Sequence, residues 1–175
     1  MFTATQDADR ALIMESLSRD STFHSLDLSG FEFRGMNLSG KTFIACRFSR
    51  AIFSGSILDS CRIRMCFFDF SRFSSCSLIG SDIQFSCFSG AHLNDTTFEN
   101  SDLLHDNFNG LLAAQVSFND SDLYNSRFVM ATLKDTNFQN CNLKKTMFFQ
   151  TTREKVSFKS SNTREAIFGK GEDPE

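Results

Sequence analysis

The sequence has no tryptophan, one tyrosine and one proline in 175 residues, and nowhere does it run near eighteen consecutive apolar residues. That last absence excludes a transmembrane helix, which needs roughly 20 apolar residues to cross the hydrocarbon core. The amino terminus reads Met1-Phe-Thr-Ala-Thr-Gln-Asp, with early acids and without the basic start and apolar segment of a secretory signal. A cytoplasmic location is therefore expected. Charge of one sign is also missing: 18 Lys plus Arg against 21 Asp plus Glu leave a net charge of -3. That balance suits a soluble protein and does not favour direct nucleic-acid binding. The closest cysteine pair, Cys61 and Cys66, is a C-x4-C, the wrong spacing for a zinc or dithiol redox site. No metal and no cofactor are expected.

What is present is phenylalanine, 22 residues of it, in a period of five. Every fifth residue from Phe23 to Phe168 gives 30 positions, of which 16 are Phe, 9 Leu and 2 Ile; Ala113, Arg153 and Thr163 are the exceptions. Phe, Leu and Ile make up 45 of the 175 residues, so chance would place about 8 in those slots. The period is real. It matches neither a helix at 3.6 nor a plain strand at 2. It fits a short extended segment with two inward side chains followed by a turn.

The other positions of the unit are restricted as well. Two residues before each central Phe or Leu, small residues (Ala, Cys, Ser, Thr, Val) fill 24 of 30 slots. Large at one inward slot and small at the other fills a narrow core without overlap. Five cysteines (Cys46, Cys61, Cys66, Cys76, Cys141) share that small slot and read as reduced, buried hydrophobes. Cys87 is off-register, and an exposed, testable thiol is expected there. Two residues after the centre comes Gly at seven places, the turn residue of the unit.

This unit, small residue, Asp or Asn, Leu or Phe, polar residue, then Gly, resembles the pentapeptide-repeat family. Ala91-His-Leu-Asn-Asp, Ser101-Asp-Leu-Leu-His and Ser121-Asp-Leu-Tyr-Asn show it directly, and the resemblance covers about 150 of 175 residues. It implies an all-β fold, a right-handed quadrilateral β-helix with four units per coil, here about 7.5 coils and roughly 36 Å tall at ~4.8 Å per coil. Residues 20 apart should then stack, in one column Leu28, Phe48, Phe68, Phe88, Phe108, Phe128, Phe148 and Phe168. The expected organisation is an N-terminal capping helix within 1-20, the repeat solenoid over 21-170, and a disordered tail over 171-175.

Before the repeats, Ala8, Ala11, Leu12, Leu17 and Met14 sit at helical spacing, with Asp7 placed as N-cap and Asp9 in the first turn. A stacked-coil core ends in bare apolar side chains and open strand edges, which this helix is expected to cover. Leu26, Phe31, Met36 and Lys41 put large residues into four consecutive small slots where the helix should dock. At Leu111 and Ala113 the large and small roles are exchanged, which conserves volume. Arg153 and Thr163 place polar groups at centres of the last coils, so a loosened C-terminal end is expected, and with it a homodimer through the C-terminal coils.

Catalysis finds no support. His24, His92 and His105 fall on separate coils, Ser is demanded by the repeat, and the glycines recur at turns and open no phosphate-binding helix. Asp106, in a small inward slot beside His105, reads as a group bonded to backbone. Two outward features escape the repeat. One is an aromatic and arginine cluster expected near one corner: Arg47, Arg50, Arg62, Arg64, Met65, Phe67, Phe70 and Phe85, a combination that protein interfaces use. Val129, Met130, Met147 and Phe149 continue it further along. The other is an acidic column, Asp82, Asp102 and Asp122. Charge is banded, with residues 34-72 and 144-170 each carrying seven basic and two acidic groups, and 82-135 two basic and eight acidic. The expected function is a non-enzymatic, rod-like scaffold that binds a protein partner through its outer faces. The alternative, implied by the family resemblance, is a DNA-mimicking binder of a type II topoisomerase.

Overall fold

A computed structural model describes the chain from residue 4 to residue 169, with side chains from Arg10 onward. The tail 171-175 lies outside the described residues. A helix, Ala4–Arg19, precedes a four-sided β-helix in which every strand pairing is parallel and joins residues twenty apart, as in Thr22↔Thr42 and Glu32↔Ile52. The first side is a five-stranded sheet: Thr22–His24, Thr42–Ile44, Arg62–Arg64, Asp82–Gln84 and Asp102–Leu104. The third side is a seven-stranded sheet running from Glu32–Arg34 up to Thr152–Glu154. The second and fourth sides are ladders of single bridges, such as Arg47↔Phe67 and Ile57↔Ser77. Of the twelve strands among the described residues ten are three residues long, what a five-residue unit leaves once a corner is subtracted; His92–Thr97 and Leu112–Ser117 run on for six residues through a corner.

The stacking that a twenty-residue coil requires is realised ring on ring. Along the second side Phe48, Phe68, Phe88, Phe108, Phe128, Phe148 and Phe168 stack with centroids 4.6 to 5.2 Å apart. Phe98, Phe118, Phe138 and Phe158 do the same along the fourth side at 4.9 to 5.3 Å. The two columns meet edge to face, as in Phe118 against Phe128 at 85°, the arrangement the ring quadrupole favours. Leu111 and Ala113 are both buried, so the exchanged volumes are accommodated in place.

The small slot does more than save space. Ser81 Oγ accepts the N–H of Cys61 one coil below and donates to the Leu58 carbonyl; Ser101 repeats this on Ser81 and Leu78, Ser121 on Ser101 and Phe98. Thiols take the same donor position, Cys61 to the Leu38 carbonyl and Cys141 to that of Phe118. The five cysteines are buried and free. They are hydrogen-bonding members of an internal ladder, each bond worth about 1 kcal/mol net, as well as small hydrophobes. Burial pushes the Cys61 and Cys141 thiols up to about 11. Cys66 is also raised, first by its hydrogen bond with Cys46 and then by burial.

All corners from Ser25 to Glu165 lie in the left-handed region: seven are glycines and 22 are not, with φ between 46° and 70°. The corner therefore demands positive φ at every fifth residue, whatever the side chain there. The Asp or Asn before a centre forms an Asx turn: Asp27, Asn107, Asp122 and Asn142 each accept the N–H two residues on. That is the physical reason the repeat favours them.

At the N-terminal end the helix docks as expected but with a different inner face. Leu17 is fully buried and Ile13 and Met14 pack against the core, whereas Leu12 is 65% exposed and Ala11 faces outward. The inward stripe is residues 10, 13, 14 and 17, one helical face at i, i+3, i+4, i+7. Arg10 completes it: its guanidinium lies 4.0 Å from the Phe31 ring centroid and donates to the Gly30 carbonyl. Phe31, one of the four oversized residues, is buried beneath it. Because the helix begins at Ala4, Asp7 lies inside it and is not its N-cap; the side chains of Asp7, Ala8 and Asp9 lie outside the described residues. At the other end the Arg153 guanidinium sits 5.7 Å from Phe158 and 5.3 Å from Phe168, so a cation covers the last rings. Among the described residues no helix is long and apolar enough to cross a membrane.

Candidate functional site

The aromatic and arginine residues occupy two neighbouring corners and the side between them, together with part of the first side, and do not share one corner. Met65 and Phe85 stand one above the other on the corner between the first and second sides, in the column that continues to His105 and Asn125. Phe67 lies on the second side directly above Arg47. Phe70 is on the next corner, in the column of Arg50 and Gly90. Met65, Phe67, Phe70 and Phe85 are 52%, 47%, 60% and 59% exposed. Met130 and Phe149 extend the same side upward at 65% and 43%.

Three of these bulky residues, Met65, Phe70 and Phe85, have φ of 52°, 57° and 54°. A side chain in that region costs roughly 1–2 kcal/mol per residue, which glycine avoids. Each aromatic recovers part of that by lying on the corner above. The Phe70 ring covers Gly90 so closely that a Cβ there would meet the ring at 2.6 Å. Phe85 stacks on His105 at 5.0 Å and 8°. The outer faces of both rings stay in solvent.

The arginines divide. Arg62 and Arg64 are on the first side, directly below Asp82 and Gln84 respectively, and both reach Asp82: Arg62 at 4.0 Å, and Arg64 through a direct ion pair plus a 2.7 Å bond to the Asp82 carbonyl. With a side chain only 16% exposed, Arg64 is part of the wall. Arg47 is 3.6 Å from Asp27. The Asp27 carboxyl is held below its usual range, first by its hydrogen bonds from Ser29, with Arg47 adding to them. Arg50 makes no side-chain hydrogen bond or ion pair among the described residues, and neither does Arg72, a residue that the repeat logic does not single out. Arg50, Arg72, Ile52, Phe70 and His92 line a groove of about 490 Å³.

The acidic column is in register, Asp82↔Asp102 and Asp102↔Asp122. Its charge is not exposed in equal measure. Asp82 is neutralised by Arg62 and Arg64 and also accepts from Gln84, while Asp122 accepts the Tyr124 N–H and the Asn142 amide.

His105 points outward, with Nδ1 2.9 Å from the Asn125 amide, and Asp106 points inward. They form no dyad. Asp106 takes the slot that Ser86 and Ser126 occupy on adjacent coils; its Oδ1 accepts the Ser86 N–H at 2.7 Å and its Oδ2 has no partner. Burial raises its pKa well above the ordinary carboxylate value. Cys87 is half-buried, and its thiol donates to Asp69 at 3.0 Å. Burial, then the Asp69 bond, push it up to about 11. The thiol expected to be exposed is thus half-buried and held protonated.

Two family models match the chain, "Pentapeptide repeat region" over residues 91–168 and "Pentapeptide repeats (8 copies)" over 27–64 and 56–95. A comparison with curated proteins finds no match. Among solved structures, a trypsin-treated variant of QnrB1, described as a plasmid-mediated fluoroquinolone resistance protein, superposes with a TM-score of 0.55 at 19% identity, covering 84% of this chain and 79% of that one. The pentapeptide repeat protein Rfr23 from the cyanobacterium Cyanothece 51142 gives 0.51 at 12% identity, over 91% and 99%.

Proposed function

Since the chain belongs to the pentapeptide-repeat proteins, we propose that it is a non-enzymatic, rod-like scaffold that binds a protein partner through its outer surface, at Arg47, Arg50, Met65, Phe67, Phe70 and Phe85. One observation carries this reading. Bulky apolar side chains stand at left-handed corners, where the backbone cost is incurred and more than half of the Phe70 and Phe85 surface remains in solvent. In the same columns small or polar residues serve at Gly90, Gly110, Ser25 and Asn125, and other corners there carry long polar or charged chains such as Arg50, Lys145 and Gln150, while Met130 is the other bulky apolar one. Folding alone does not explain Phe at these positions; a hydrophobic contact with another molecule does. Families of this repeat are generally non-catalytic.

The test replaces Phe67→Ser together with Phe70→Gly and compares the proteins that co-purify with each form. Loss of a specific partner with an unchanged circular dichroism spectrum is expected; an unchanged partner set sinks this surface. Homodimerisation through the C-terminal coils belongs to the same reading, because Thr152–Glu154 is the last strand of its sheet among the described residues. Light scattering that shows only monomer at high micromolar concentration removes it.

The second reading is the DNA mimic acting on a type II topoisomerase. It is favoured by the in-register Asp82, Asp102 and Asp122 and by the likeness in fold to QnrB1. Against it stand the neutralisation of Asp82 by two arginines and the basic bands above and below. A supercoiling assay with purified gyrase decides: no protection and no inhibition at tens of micromolar removes this alternative.

A further inference from the structure

The groove beside Phe70 continues upward. Its rim residue His92 also borders a second groove of about 370 Å³, formed on the third side by Leu112, Ala114, Thr132 and Lys134 with the backbone between them. The two depressions share His92 and follow one another along the tower axis as a track whose chemistry changes from end to end. At the lower end Arg50 and Arg72 are exposed and without ion pairs among the described residues. The carboxylates in the neighbouring columns are engaged elsewhere: Glu32 with Arg34 at 2.8 Å, and Asp69 with the Cys87 thiol at 3.0 Å. At the upper end Leu112 is 43% exposed beside small Ala114, and Lys134 is already paired with Glu154 at 3.3 Å.

We propose that this track is the binding groove for an extended, acidic-to-apolar segment of the partner protein. It rests on the scaffold reading and names the partner's chemistry. A carboxylate at Arg50 and Arg72 meets two guanidinium groups with donors to spare, the geometry Arg offers best. An aliphatic side chain of the same segment covers Leu112 and Ala114. From the level of Ile52 to that of Thr132 is four coils, roughly 19 Å at ~4.8 Å each, which an extended chain at ~3.3 Å per residue spans with about six residues. A nucleic-acid backbone fits less well, since it needs cations along the whole track and above His92 the upper half offers apolar groups, the Asn94 carboxamide, the Thr132 hydroxyl and a neutralised lysine. An anionic membrane surface fails on the same count.

The experiment pans a phage library of random heptapeptides on the immobilised protein and measures the enriched peptide by fluorescence polarisation. The expected consensus holds Asp or Glu near one end and Leu, Ile, Met or Phe three or more positions away. Its affinity should fall at least tenfold with Arg50→Gly plus Arg72→Thr and several-fold with Leu112→Thr. Each substitution installs a residue the same column already uses, Gly90 and Gly110 at the corner and Thr132 and Thr152 on the strand, so the coils should fold. No enrichment, a consensus without an acid, or equal binding to the double variant overturns the proposal. So does tighter, arginine-dependent binding of a 20-base-pair duplex or of phosphatidylserine vesicles. If Arg50→Gly plus Arg72→Thr leaves partner capture intact while Phe67→Ser plus Phe70→Gly abolishes it, the groove assignment fails and the scaffold reading stands; if capture survives both, the scaffold surface fails too.

Discussion

Phe68 and Phe70 are two residues apart and belong to different parts of the molecule. The Phe68 ring is fully buried, parallel to Phe48 at 4.7 Å and to Phe88 at 4.6 Å. Phe70, with φ of 57°, is 60% exposed and touches the next coil through one face of its ring, over Gly90. Inside, a Phe meets the repeat's demand for volume on every contact. On the corner the repeat demands positive φ, and a Phe there works against that demand. The same residue type is thus structural in one place and unexplained by structure in the other, and the unexplained one is where function is sought.

The largest test of that contrast is Phe68→Ala. It opens a cavity in the middle of a ring column, and a loss of about 3–5 kcal/mol is expected in urea unfolding. A loss below about 1 kcal/mol would mean the stacked column is not what holds the coils. Next is Asp106→Ser, which restores the hydroxyl that the neighbouring slots carry. Burial raises the Asp106 pKa in the folded chain, so the folded state binds a proton that the unfolded state releases above its ordinary value of 3.8. The contribution is therefore fully present below that value and is lost as pH rises toward and through the raised pKa, at up to about 1.4 kcal/mol per pH unit. Asp106→Ser should be more stable than the parent at pH 8, with the gap closing toward pH 4; a pH-independent gap contradicts the assignment. The smallest expected effect is that of Phe70→Gly. Relief of roughly 1–2 kcal/mol of corner strain is offset by lost ring contact and by about 0.5–1 kcal/mol of added chain entropy. Unfolding free energy should stay within about 1 kcal/mol of the parent. A loss as large as that of Phe68→Ala would make the corner ring structural after all.

Much of this is legible in the residues. The centre register places the buried rings correctly from Phe23 to Phe158, and coil arithmetic puts the carboxylates of the acidic column in line. The same arithmetic sets Asp82 one coil above Arg62, so their pairing carries a sequence signal that a division into basic cluster and acidic column hides. The positive φ of every corner is legible only at the seven glycines, because Met65, Phe70 and Phe85 carry no mark of the backbone beneath them. The docking face of the helix turns away from Leu12 and toward Arg10, whose guanidinium lies over Phe31 and which does not read as a core residue. Arg72 has no signal of its own, since an unpaired arginine looks the same in sequence as a paired one.

By itself the sequence determined the five-residue unit, the inward columns and the identity of every corner, because a strict period repeats one backbone geometry and leaves one place for each side chain. Only the tertiary structure decided which charges cancel, that Cys87 is held by Asp69, that Phe70 lies over Gly90, and that Arg50 and Arg72 share a groove. Those outcomes depend on rotamers of long side chains meeting neighbours about twenty residues away, a distance at which the coil brings chains into contact and a five-residue pattern is silent.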